Sequence, residues 1–281
     1  MTNPDLNSYD WILINTSAGK DSQTAIAEVL RQTDAAGFDR ARIVLVHADL
    51  GSTAAGNDYE WKGVADLAAR QAAHYGLRFE LVARRQADGS SDTILDYTTR
   101  RGAWPSSTVR FCTSEFKRTP CRRVITQLDR EIRTDRAQIV RVLQVFGFRA
   151  QESRARAKKA AFENDKRSST KTRIVDNWLP IHDWTEEQVW ADIKATGVEY
   201  HKAYDLGMPR LSCCFCIFAP KTALMIAGEH NRPLLDEYVA VEKAIGHTFR
   251  QGFAIGEIAA ALDRGERASS VNAADWMECG A

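Results

Sequence analysis

Ser17-Ala18-Gly19-Lys20-Asp21-Ser22 decides how this chain is read. The stretch follows an apolar run, Trp11-Ile12-Leu13-Ile14, and precedes the helix-like Gln23-Thr24-Ala25-Ile26-Ala27-Glu28-Val29-Leu30. Strand, small-residue loop and helix in that order describe a phosphate loop. The first amides of a helix point outward with partial positive charge and stabilise an anion. Gly19 lets the backbone approach that anion, Lys20 adds a full positive charge, and Ser17 and Ser22 add hydroxyl donors. A Walker A loop is excluded. It needs Gly five residues before the Gly-Lys pair and Ser or Thr after the Lys, where this chain has Ile14 and Asp21.

The 281 residues, 44% of them hydrophobic, suit one α/β domain with a smaller appendage. The 38 basic and 37 acidic residues nearly cancel, so any polyanion site must be local. Met1-Thr2-Asn3-Pro4-Asp5 carries no signal-peptide pattern, and no apolar run approaches the roughly 18 residues that span a bilayer. The expectation is a cytoplasmic protein with no membrane partner. Six Cys in that compartment point to metal or redox chemistry more than to disulfides.

Outward from the loop, apolar runs predict strands at Trp11–Asn15, Ile43–His47, Phe79–Ala83 and Ile139–Phe146. Helical stretches fall near Lys20–Gln32, Asp58–Tyr75 and Glu115–Ile132. This alternation predicts a parallel twisted sheet flanked by helices, with ligands beyond the carboxyl ends of its strands. Asp49, just after the second strand, is a candidate for ribose, adenine or metal, or a turn residue. The stretch 149–173 carries nine Lys or Arg against three acids. Its Arg167-Ser168-Ser169-Thr170-Lys171 reads as a mobile loop, and the stretch as an electropositive lid or a solvated helix face with a linker. Trp178-Leu179-Pro180-Ile181 reads as a short strand, and Thr185 with Gln188 as a capping box opening a helix. The last third is mostly helical. The expected division is a nucleotide-binding α/β domain over 1–219 and a helical extension over 220–281.

The loop resembles the S-x-G-K-D-S loop of the PP-loop ATP pyrophosphatase superfamily. Gly147-Phe148-Arg149-Ala150-Gln151-Glu152-Ser153-Arg154-Ala155-Arg156 matches the G-x-R-x-x-E-S-x-x-R pattern of its PAPS-reductase-like members. Three further stretches agree in the same order: Arg110-Phe111-Cys112-Thr113 with Lys117 and Pro120, then Pro180 to Thr185, then Tyr204, Gly207 and Arg210 with Cys213-Cys214-Phe215-Cys216. The resemblance covers roughly residues 10 to 220 and implies an adenine nucleotide α-hydrolase-like fold. It implies a nucleotide site of Ser17, Ala18, Gly19, Lys20, Asp21, Ser22, Asp49, Gly147 and Arg210, with Lys20, Asp21, Arg149 and Arg154 as catalytic candidates. Arginine forks suit phosphate or sulfate, and Glu152 is expected to hold one of them.

Assimilatory APS reductases of this group carry an adjacent Cys pair plus a later Cys-x-x-Cys. Here Thr113 replaces the second member of the pair. Cys112, Cys121, Cys213 and Cys216 are the expected ligands of a [4Fe–4S] cluster, with Cys214 as another source of the fourth ligand. Zinc on the same thiolates and buried free thiols are the alternatives. Glu278-Cys279-Gly280 matches part of the segment that carries the reductases' catalytic Cys; Cys279 reads as a bystander or as a sulfur nucleophile.

The resemblance extends to the reductase-like ATPases of bacterial DNA phosphorothioate modification, the DndC and SspD types. It implies that ATP with Mg²⁺, held by a carboxylate such as Asp21, is cleaved to AMP and pyrophosphate while an acceptor, DNA, is adenylated. A cysteine desulfurase among other sulfur-modification proteins would supply the sulfur. Two readings compete: PAPS or APS reduction to sulfite with thioredoxin, and a nucleotide-binding subunit without turnover. The intact Lys20-Asp21 and the broken Cys pair favour ATP cleavage.

Overall fold

The computed structural model describes residues 4–268, 270–272 and 275–276. Its strands are β1 (Trp11–Thr16), β2 (Ile43–Asp49), β3 (Arg78–Ala83), β4 (Val140–Phe146), β5 (Phe162–Asn164) and β6 (Arg173–Trp178). They form one six-stranded sheet in the order β3-β2-β1-β4-β6-β5. All neighbours are parallel except β5, which runs antiparallel to β6. The chain winds outward from β1 in both directions. A crevice therefore opens between the carboxyl ends of β1 and β4, where an open α/β sheet takes its ligand.

Three helices cover the sheet. α1 (Lys20–Ala36) and α2 (Val64–His74) pack on one face, where Ile26, Val29, Leu30 and Ala72 bury against Ile12, Ile14, Ile43 and Leu45. α5 (Thr119–Ile132) covers the other face, with Val124, Ile125 and Leu128 against Leu13, Val44 and Val142. The rest of the helices are α3 (Ile94–Arg101), the one-turn α4 (Phe111–Thr113) and α6 (Arg154–Ala157), α7 (Glu186–Thr196), α8 (Lys221–His230), α9 (Arg232–Ile245) and α10 (Gly256–Asp263). The helices past Pro220 share one apolar cluster with Tyr59, Trp61, Leu67 and Phe116.

Several expected boundaries move, each for a local reason. The helix expected from Asp58 starts at Val64, because Gly63 turns the chain with φ +88° and Glu60 bridges to Cys213 instead. The helix expected from Glu115 begins with a π-helical turn, Ser114–Arg118, and becomes regular only at Thr119. Pro120 has no amide to donate back to the preceding turn, so the ladder slips by one residue there. The Trp178–Ile181 run is not a strand: β6 ends at Trp178, and His182 N donates to Leu179 O at 3.2 Å in the turn that follows. The Thr185–Gln188 capping box forms as read and opens α7.

The basic stretch is not a linker. It folds into α6 and the β5–β6 hairpin, where the Asp165 carboxylate accepts from Arg167 N, Ser168 N and Ser168 Oγ and orders the turn expected to be mobile.

Gly147 marks where β4 meets α1. A Cβ there would lie 2.6 Å from Asp21 O, 2.7 Å from Asp21 C and 2.8 Å from Ser22 N, all backbone. Overpacking against backbone that cannot move costs about 1–3 kcal/mol. Gly147→Ala should lower stability by that order in urea unfolding, while Gly256→Ala, whose nearest neighbours lie at 3.8 Å, should be neutral or stabilising. Equal unfolding midpoints for the two variants would contradict the close approach.

Candidate functional site

The loop Ser17–Ser22 leaves β1 at the crevice and runs straight into α1. Ala18 sits in the left-handed region with φ 56° and is fully buried. Such backbone costs a non-glycine residue about 1–2 kcal/mol. The bend is fixed by Thr16 Oγ1, which accepts from Ala18 N at 3.0 Å, and by Ser22 Oγ, which donates to Gly19 O at 2.9 Å.

Lys20 is not an exposed loop residue. It is 2% exposed, and its Nζ donates to Pro209 O at 2.6 Å, beside Glu186 Oε1 at 3.4 Å and Asp21 Oδ2 at 3.7 Å. Its backbone N–H donates to Tyr204 Oη at 2.8 Å. The segment 204–211 therefore lies on the loop, close enough that a Cβ on Gly19 would meet Tyr204 Oη at 3.2 Å and Leu211 Cβ at 3.4 Å. Burial first, and then the Asp21 charge, push the Tyr204 phenol well above its usual value, so it stays neutral.

Arg149 comes to the same place from the end of β4. Its Nε donates to Asp21 Oδ1 at 2.5 Å and its Nη1 to Gln151 Oε1 at 2.8 Å; the side chain is almost fully buried. The Asp21 carboxylate, expected to hold magnesium, is thus the counter-ion of Arg149, and no metal step is assigned to it. Glu152 holds Arg156 in an ion pair, accepts from Arg149 N at 2.9 Å and, through its own backbone oxygen, accepts from Arg210 Nη2 at 2.6 Å. Lys20, Arg149 and Arg210 are thereby linked through Asp21 and Glu152, each satisfied by a protein acceptor. Arg154 is exposed on α6. Asp49 Oδ1 accepts from Gly51 N at 2.8 Å and so performs the turn role weighed for it. The sequence did not disclose Tyr204 Oη, Glu186 or the Pro209 carbonyl as loop partners. Tyr204 lay in a matched motif, but nothing local assigned it a contact.

The cysteines divide. Cys112, Cys213 and Cys216 pack against the large apolar cluster, whereas Cys121 packs against the cluster between α5 and the sheet. A hydrogen bond with Cys216, and then burial, push the Cys213 thiol well up; burial also raises Cys112, Cys214 and, to about 12, Cys121. Among the described residues no three His, Cys, Asp or Glu side chains converge as they would on a metal ion. Among the described residues the expected four-thiolate set of Cys112, Cys121, Cys213 and Cys216 is therefore not assembled. Cys279 lies outside the described residues.

What faces the thiols is a cation. Burial opposes the charge of Lys117, yet Cys213, Glu60, Cys112 and Cys216 hold its ammonium above the usual value. Glu60 in turn meets His47 Nε2 at 3.4 Å. Burial works against both charges, but the pair wins: the Glu60 carboxyl is held down by His47 and Lys117, and the His47 ring is held up by Glu60 and the Thr16 carbonyl.

A raised histidine value stabilises the fold fully below about 6.5, its unfolded value, and that contribution is lost as pH rises through the folded value. His47→Gln should therefore lower the urea midpoint more below about pH 6.5 than in mild alkali. A loss equal at both ends would remove the charged pair.

Residues 12–219 match the family described as the phosphoadenosine phosphosulfate reductase domain. An uncharacterised 37.8 kDa protein of Escherichia phage 186 is 30% identical over 155 residues, 53% of this chain and 44% of that protein. The adenosine 5'-phosphosulfate reductase of Allochromatium vinosum is 28% identical over 159 residues, 57% of this chain and 53% of that enzyme. The chain thus spans about half the length of these relatives. Among solved structures, the PAPS reductase of Candida auris aligns at 16% identity and TM-score 0.45, over 74% of this chain and 84% of that one. The U34-tRNA thiolase NcsA of Methanococcus maripaludis, determined with its [4Fe-4S] cluster, aligns at 14% identity and TM-score 0.44, over 94% and 76%. With the family match covering most of its length, and the Ser17–Ser22 loop at the switch point of a parallel sheet, this chain belongs to the PAPS reductase domain family.

Proposed function

We propose that the protein is an ATP pyrophosphatase that adenylates an acceptor for sulfur incorporation, with a DNA backbone phosphate as the acceptor. The observation that carries this reading is the meeting of Lys20 and Arg149 on Asp21, over a loop that begins a helix at the carboxyl ends of β1 and β4. ATP lies with its β- and γ-phosphates against the start of α1. An acceptor oxygen attacks the α-phosphorus, the bond to the bridging oxygen breaks, and pyrophosphate leaves. Lys20 and Arg149 take up the charge that grows on the leaving group, giving up Pro209 O and Asp21 as they do so. The protein supplies position and fixed charge, the two largest contributions available to such a transfer. The terminal sulfur of a persulfide on a partner, itself charged by a cysteine desulfurase, then attacks the acceptor phosphorus and displaces AMP, and a second thiol of that partner cleaves the S–S bond, leaving the sulfur on the acceptor and a disulfide on the partner.

Reduction of PAPS or APS is the competing reading, because a relative is named an APS reductase. Against it stands Thr113, which occupies the second place of the reductases' Cys pair. One assay separates the two: pyrophosphate release from ATP with Mg²⁺, beside sulfite release from PAPS or APS with thioredoxin. Pyrophosphate without sulfite is expected, and sulfite without pyrophosphate would overturn the proposal.

Lys20→Met should slow pyrophosphate release on the order of a hundredfold or more, as loss of a charge-stabilising donor does elsewhere. Because Lys20 is buried, the variant's circular dichroism and urea midpoint must be read beside its rate. A folded variant with unchanged ATP cleavage would remove Lys20 from the site.

Metal analysis tests the cysteine arrangement. If anaerobically purified protein carries iron or zinc, Cys213→Ala should lower its content and Cys121→Ala should leave it unchanged. Equal losses would place Cys121 among the ligands.

A further inference from the structure

A groove of about 750 Å³ opens between α2 and α7. Its wall is the extended pair Val198–Glu199, which two buried glutamines tie down. The Gln23 side chain of α1 donates to Val198 O at 2.9 Å, and that of Gln71 of α2 donates to Glu199 O at 3.2 Å. The groove is therefore a fixed feature of the fold.

Its lining combines cations with aromatic rings. Lys62, Arg70, Lys194 and Lys202 are exposed along it. Two acids, Glu199 and Asp205, lie among them, and both are engaged. Glu199 pairs with Arg70 at 3.0 Å, and Asp205 accepts from Tyr200 Oη at 3.0 Å. Among the described residues no ion pair engages Lys62, Lys194 or Lys202. The Tyr200 ring is 39% exposed and is steadied by Asp205 and by Trp190, which it meets edge-on at 5.4 Å. Trp190 in turn packs edge-on at 5.2 Å against Tyr204, the residue whose oxygen receives the Lys20 amide. One aromatic wall thus joins the groove to the phosphate loop.

We propose that this groove binds single-stranded nucleic acid, with backbone phosphates on Lys62, Lys194 and Lys202 and a base against Tyr200. Unpaired lysines in a groove track a phosphate backbone, and an exposed ring beside them offers a stacking surface to any base. A duplex hides its base faces from such a ring, and an acidic peptide would use the lysines and leave the ring idle. The inference rests on the reading that the acceptor of adenylation is a nucleic acid, and it specifies the acceptor as an unpaired strand.

The test is fluorescence anisotropy of a short labelled oligodeoxynucleotide on the full chain, across a salt series. In the double variant K194E/K202E affinity should fall at least on the order of tenfold, and the salt slope should shrink by about 1.4, at roughly 0.7 per lost phosphate contact. Tyr200→Ala should weaken binding on the order of tenfold with the slope unchanged, since stacking carries no counterion. Basal pyrophosphate release should be untouched in all of these variants. Variants that bind as the parent does would overturn the groove. So would a duplex bound as tightly as the single strand, or polyglutamate competing as well as an unlabelled strand, which would assign the groove to a protein partner. Strand binding lost in the variants while the parent fails to cleave ATP would sustain the groove and refute the pyrophosphatase. ATP cleavage with variants that bind normally would do the reverse.

Discussion

The Arg149–Asp21 ion pair is the interaction on which the site depends. Its Arg149 side is almost fully buried and its Asp21 side partly so, and it joins the first turn of α1 to the turn after β4. A buried charge without its partner is strongly unfavourable, so each of the two fixes the other. Gly147 makes the junction possible by keeping β4 within backbone contact of Asp21 and Ser22. Glu152 then relays the position of Arg149 to Arg156 and Arg210. The loop is consequently held from two sides, by β4 through Asp21 and by the 204–211 segment through Tyr204 and Pro209. Its positive groups are folded against protein oxygens; under the proposed function an entering polyphosphate exchanges those contacts for stronger charged ones.

A second buried chain of charge runs from His47 through Glu60 to Lys117 and ends on the thiols of Cys112, Cys213 and Cys216. The π-helical turn that carries Lys117 lies just ahead of Pro120. The backbone bridge from Glu60 to Cys213 locks the carboxylate beside the Cys-x-x-Cys segment. Tyr204 lies only a few residues before that segment, so the loop and the thiol pocket share one stretch of chain.

The fold was legible because its signals are local and periodic. The apolar runs gave β1 to β4 within a residue or two, and the spacing of Thr185 and Gln188 gave the start of α7. The loop was legible for the same reason: strand, small residues and helix are contiguous. What stayed hidden was set by long-range contact. Lys20 reads as exposed from its neighbours, and its burial depends on Pro209, far along the chain. The basic stretch reads as mobile because its order comes from the Asp165 turn and from pairing with β6. Cys121 and Cys112 look equivalent in sequence, yet α5 and α4 pack them against different apolar clusters.

Under the proposed function, Lys20 and Arg149 release their protein acceptors to hold the phosphates of ATP. A crystal structure with an ATP analogue that cannot be cleaved between its α- and β-phosphates tests it most directly. The account predicts the β- and γ-phosphates at the start of α1, with Lys20 Nζ moved from Pro209 O onto a phosphate oxygen. A nucleotide bound elsewhere, with the Lys20–Pro209 and Arg149–Asp21 contacts intact, would contradict it.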